Sequence, residues 1–271
     1  MANSEASIFT VEGERVVAGE LARGPWDPQA QHGGPPAALI ARAFERLPGG
    51  EELVMARLTY ELLRPVPLGE LRIAAAVVRP GKRIQLLEAS LSTPDGTEVV
   101  RARALRVRPA DTEAGTADDP PPPAPPDRGV AVDFDFNRED ARMYARDAME
   151  LRFVEGSWRE PGPATAWFRL RVPLVDGEEP SALQRLAAAA DFPNGIASIL
   201  PWSEYVFINP DLTVYVERPP VGEWICLQAS TRVPAGGVGF AEAVLYDERG
   251  RVGRSLQSLL VMERPISAGK P

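Results

Sequence analysis

Apolar side chains in Pro35 to Leu47, PPAALIARAFERL, recur at Leu39, Ile40, Ala43, Phe44 and Leu47. That spacing puts them on one face of a helix, and the leading proline suits a helix start. A second helix is expected over Pro180 to Ala190, PSALQRLAAAA, running into Asp191, with Ser181 as N-cap. Behind each helix the pattern shifts to β-branched and aromatic runs. The first half offers Leu53 to Arg64, Leu71 to Arg79, Ile84 to Ser92 and Glu98 to Val107. The second offers Glu204 to Glu217, Trp224 to Val233, Gly239 to Tyr246 and Ser255 to Met262. Pro80-Gly81, Pro94-Asp95-Gly96 and Pro234-Ala235-Gly236-Gly237 mark turns between them. Strands joined in sequence by short turns pair antiparallel, and each amphipathic helix needs a sheet to cover its apolar face. The expectation is an α+β fold with a sheet wrapped around each of two helices.

The halves also resemble each other. Arg64-Pro65 matches Arg218-Pro219 at an offset of 154, Gly69-Glu70 matches Gly222-Glu223 at 153, Gly96 matches Gly250 at 154, and Arg108-Pro109 matches Arg264-Pro265 at 156. Four landmarks at a nearly constant offset argue for an internal duplication, with a period too long for a solenoid. Between the halves runs PADTEAGTADDPPPPAPPDRG, Pro109 to Gly129, with no large apolar residue, the composition of an extended connector. The expected division is 1–108, a connector over 109–129, and 130–271.

Composition narrows the chemistry. The 271 residues contain one cysteine, Cys226, and one histidine, His32. An intrachain disulfide framework, an iron–sulfur cluster, a thiolate zinc site and multi-histidine metal sites each need more. Any chemistry then falls to carboxylates, amides and hydroxyls, in what the scarcity of thiols suggests is a reducing compartment. With 30 basic and 38 acidic residues the net charge is −8, which does not favour broad contact with nucleic acid. The start lacks a basic and apolar leader, and no apolar run approaches the ~18 residues of a membrane span, so a cytoplasmic location is expected.

Several residues could carry chemistry. Gln31-His32-Gly33-Gly34-Pro35-Pro36 sets two glycines ahead of a helix, where unpaired amides can receive an anion or a developing oxyanion; it can equally be an ordinary tight loop. His32 is a base or a capping residue, and no G-x-S-x-G elbow supplies it with a nucleophile. Asp191 closes an alanine-lined stretch as a placed general base or a solvated helix end. Asn209, in YVFINPDL, is a polar break in an apolar run, with a turn or bulge as the structural alternative. Gln257, in SLQSLLVM, could orient a water or face outward; its counterpart in the first half falls near Arg101 or Arg103. Lys82 and Arg83, in the turn RPGKR, could meet phosphates or only solvent.

Together these segments resemble the acyl-CoA thioesterase II family, in particular QHGGPPAAL in the first half and DFPNGI, NPDLTVYVERPPVGEW and GRSLQSLL in the second. The likeness covers most of the chain outside the connector and Val130 to Glu179. It implies a double hotdog, two fused copies of a sheet wrapped around a helix, and hydrolysis of acyl-CoA without metal or cofactor. It implies that Asp191 and Gln257 hold the attacking water and that Gly33 and Gly34, beside His32, face the thioester oxygen. The family's third position, a Thr or Ser, falls on Asn209, a departure. It also implies that the fused pair can dimerise or stack further. Hotdog hydratases use an Asp and a His on one segment, a pair absent here. A non-catalytic module that binds an acyl or aromatic ligand, or serves assembly, shares the fold and is the alternative.

Overall fold

The computed structural model describes residues 7–110, 121–132, 134 and 141–264. In the first half it has β1 (Phe9–Glu12), β2 (Arg15–Ala18), α1 (Gly34–Glu45), β3 (Val54–Leu62), β4 (Gly69–Arg79), β5 (Ile84–Ser92) and β6 (Glu98–Val107). The second half has β7 (Val130–Ala131), a single π turn (Tyr144–Ala148), β8 (Met149–Glu155) and β9 (Ala164–Leu170). After these come α2 (Ala182–Ala189), α3 (Pro193–Ile196), β10 (Tyr205–Ile208), β11 (Asp211–Val216), β12 (Ile225–Arg232), β13 (Val238–Asp247) and β14 (Gly250–Glu263).

All named strands belong to one sheet, in the order β1-β2-β4-β5-β6-β3-β11-β14-β13-β12-β9-β8-β7, with β10 paired to β14. Every strand pairing is antiparallel, as the short turns require. The order reads outward the same way from the centre, where β3 of one half meets β11 of the other. There Thr59 faces Thr213, two residues 154 apart in sequence. The offset of the repeat and the register of the central pair thus meet at one point, where an approximate two-fold axis crosses the sheet.

The helices lie together on one face of this sheet. In α1, Leu39, Ile40 and Phe44 are fully buried, and burial extends to Ala37, Ala38 and Ala41 on the helix's other sides. α1 is therefore enclosed by the sheet and α2, and short alanines allow the close fit. Ser181 caps α2, its Oγ accepting from the Gln184 N–H at 3.1 Å. The same hydroxyl donates to Glu45 at the end of α1, as does Gln184 Nε2 at 2.8 Å. Arg42 of α1 reaches Glu178 with two hydrogen bonds of 2.6 Å. Those bonds hold the Glu178 carboxyl below the usual carboxylate range, against the opposing effect of burial. Both contacts lock the helices of the two halves in register.

Three features differ from the sequence reading. The single strand expected over Glu204 to Glu217 is two, β10 and β11, because Pro210 supplies no ladder N–H and the chain breaks at Asn209-Pro210. Strands β1, β2, β7, β8 and β9 have no expected counterpart and complete the edges of the sheet. Of the connector, residues 111–120 lie outside the described residues; its last part returns to the fold, with Ala124 O accepting from Trp167 Nε1 at 2.7 Å.

Candidate active site

Asp191 stands where α2 gives way to α3, under the start of α1. Its side chain is 5% exposed. Both neighbouring amides donate to one carboxylate oxygen: Asn209 Nδ2 at 2.7 Å and Gln257 Nε2 at 2.7 Å from Oδ1. The break after β10 makes this convergence. β10 pairs with the far end of β14 and β11 with its nearer part, so Asn209 faces β14 in the gap where Gln257 lies. Carrying the equivalence of Thr59 and Thr213 across the two registers, Thr59 to Arg103 and Thr213 to Leu256, makes Ala104 the counterpart of Gln257. Neither Arg101 nor Arg103 is that counterpart, and the matching place in the first half is apolar and buried.

The other carboxylate oxygen faces the loop before α1. His32 Nδ1 is 3.0 Å from Asp191 Oδ2. A Cβ added at Gly33 would come within 2.5 Å of Oδ2, and one at Gly34 within 2.5 Å of Ala188 O. The two glycines are thus required by close approach: Gly33 to the carboxylate, Gly34 to the end of α2. Gly33 has helical φ of −68°, so backbone strain plays no part. Pro35 and Pro36 have no N–H, which leaves Gly33 and Gly34 as the donors of the first turn. Gly34 N–H donates to His32 Nδ1 at 3.1 Å; Gly33 N–H has no acceptor among the described residues.

Aromatic rings fix the histidine. His32 stacks on Phe192 at 4.4 Å between centroids and tilts against Tyr144 at 5.2 Å. The Tyr144 hydroxyl donates to Ala188 O at 2.9 Å. Burial, with the nearby Asp191 charge adding to it, pushes this phenol well above its ordinary value, so Tyr144 stays a neutral donor.

Gln257 is 1% exposed, and its Oε1 is buried without a partner among the described residues. An unpaired buried acceptor costs about 1–3 kcal/mol, which makes this atom an unsatisfied polar group beside Asp191. Lys82 and Arg83 stand apart, exposed on the turn from β4 to β5, with no side-chain bond to this cluster. Cys226 is buried on the sheet's outer face with Trp167, Trp224 and Tyr246, and burial raises its thiol far above the ordinary value, which removes it as a nucleophile. Among the described residues no group of three or more His, Cys, Asp or Glu is placed to hold a metal ion, and no helix is long and apolar enough to cross a membrane.

Position alone left Asp191, Asn209 and Gln257 open, and only the family resemblance set them together; their side chains meet here. Contact between His32 and Asp191 had no local signal, because it arises from the packing of α1 on α2.

A buried carboxylate beside a helix-start N–H with no acceptor among the described residues, that of Gly33, is the equipment of a hydrolase acting on an acyl carbonyl. The acyl-CoA thioesterase N-terminal domain model matches residues 22–107, and the acyl-CoA thioesterase C-terminal domain model matches residues 109–261. The chain belongs to the acyl-CoA thioesterase family and is a thioester hydrolase. No curated protein matches it. A solved structure from Alicyclobacillus acidocaldarius, a conserved protein of unknown function with a hot dog fold, is 18% identical with a TM-score of 0.73, covering 97% of each chain. A protein assigned as a thioesterase II from Thermobifida fusca is 18% identical with a TM-score of 0.72, covering 96% of this chain and 97% of that one. Acyl-CoA thioesterase II TesB2 from Mycobacterium marinum is 14% identical with a TM-score of 0.65, covering 97% of this chain and 96% of its own. At such identities these likenesses establish the fold, a hot dog fold.

Proposed function

We propose that this protein hydrolyses acyl-CoA by attack of water assisted by Asp191, at one site in a double hotdog. Two fused copies, 1–108 and 130–271 joined by 109–129, are supported by the meeting of repeat offset and sheet register at Thr59 and Thr213. A single site per chain is supported by Ala104 standing where the second half has Gln257.

The observation that carries the reading is the buried Asp191 carboxylate, held on Oδ1 by two amides and facing His32 and the Gly33 backbone on Oδ2. The thioester carbonyl would rest at the start of α1, its oxygen toward the Gly33 N–H. A water between Asp191 and the unpaired Gln257 Oε1 gives a proton to Asp191 as its oxygen bonds to the carbonyl carbon. The tetrahedral intermediate then collapses, the C–S bond breaks, and the sulfur leaves with the electron pair and takes up a proton. Asn209, in the place of the family's hydroxyl, holds the carboxylate through its Nδ2 and leaves the water to Gln257. Positioned acid–base groups contribute ~10²–10⁴-fold and an oxyanion donor ~10²–10³-fold.

Purified protein is expected to release free thiol from at least one member of a panel of short, long and aromatic acyl-CoA thioesters, followed with a thiol reagent. No release from any member would favour a ligand-binding or assembly module.

A further inference from the structure

Among the described residues His32 is the titratable side chain paired with Asp191, and its Nδ1 has two neighbours that cannot both be satisfied. Gly34 N–H donates to it at 3.1 Å, which requires a bare nitrogen. Asp191 Oδ2 lies 3.0 Å from the same nitrogen, a distance that suits a shared proton. An imidazole nitrogen offers one in-plane lone pair or one proton, so occupation by a proton displaces the Gly34 N–H. At the other end of the ring, Nε2 has no partner among the described residues, and the side chain keeps 13% of its surface exposed. The rings of Phe192 and Tyr144 hold the imidazole plane in place.

From this geometry we infer that His32 is a further catalytic residue, which takes the water's proton from Asp191 at Nδ1 and gives its Nε2 proton to the departing CoA sulfur. The inference rests on Asp191 being the base. The resting imidazole is neutral, with its proton on Nε2 and Nδ1 accepting from Gly34. Water bonds to the carbonyl carbon and its proton passes to Asp191 Oδ2, then across 3.0 Å to Nδ1. That arrival frees the Gly34 N–H as negative charge grows on the carbonyl oxygen, adding a second donor beside Gly33. The C–S bond breaks, the sulfur keeps the electron pair, and the Nε2 proton bonds to it. Asp191 is again a carboxylate and the imidazole is again neutral. The product acid loses its proton to solvent, and the imidazole exchanges its tautomer through its exposed edge. Without this donor a thiolate would be expelled beside a buried carboxylate, placing two anions in one poorly solvated site.

The test compares one acyl group carried on N-acetylcysteamine, an alkyl thiol, and on thiophenol, whose thiolate leaves without a proton. Both His32→Asn and His32→Gln are expected to lower kcat/KM by about 10²-fold on the alkyl thioester and by less than about threefold on the aryl one. Asn retains an acceptor for Gly34, so recovery of alkyl thioester activity in His32→Asn would reveal a capping role and overturn the inference. Equal losses on both esters, or no loss on either, would overturn it as well. Asp191→Asn, run in parallel, is expected to fall on both esters; if it falls on neither, the reading of Asp191 fails, independently of His32.

Discussion

Asp191→Asn is expected to lower kcat for acyl-CoA by about 10²–10⁴-fold while KM and the thermal midpoint change little. The substitution keeps the volume of the side chain and its Oδ1, so the hydrogen bonds from Asn209 and Gln257 survive. An amide nitrogen in place of Oδ2 has the same size and can donate toward His32 Nδ1. What is lost is the ability to take a proton from water. Steady-state kinetics with a thermal melt check this directly, and a fall of less than tenfold would remove Asp191 from the base role.

Gly33→Ala has the second largest expected effect. Its backbone is helical and accepts alanine, but the new methyl would lie 2.5 Å from Asp191 Oδ2 and 2.7 Å from Cγ. The carboxylate must turn or shift against two amides that hold it at 2.7 Å. Misplacement by about 1 Å can cost about 10²-fold, and kcat is expected to fall by about that much with the fold intact by circular dichroism. Activity near that of the parent would mean that the orientation of Asp191 does not limit the reaction.

Much of the fold was legible because its elements obey simple periods. α1 is amphipathic and opened by proline, Ser181 caps α2 as its position suggests, and β5 and β6 begin and end where alternation and turns put them. The edges were not legible, for different reasons. β1 and β2 are four residues each, too short for a period to emerge. β9, ATAWFRL, is buried along both faces because Trp167 packs with Trp224, Cys226 and Tyr246 on the outer side, which erases alternation. β8, MELRFVE, does alternate, and a strict period-two count would find it. At the site, Asn209 was visible as a polar residue in an apolar run, and the break it makes is what lets it meet Gln257. The contact of His32 with Asp191 spans 159 positions and depends on Gly33 packed against Asp191 and Gly34 against α2, so no local pattern signalled it.

Direct attack by water is the central step, and a single turnover in oxygen-18 water with enzyme in excess over acyl-CoA tests it most directly. The label is expected in the released carboxylic acid, with the peptide carrying Asp191 unlabelled by mass spectrometry. Label on Asp191 and an unlabelled acid would instead mean that the carboxylate attacks the thioester itself, and would contradict the account.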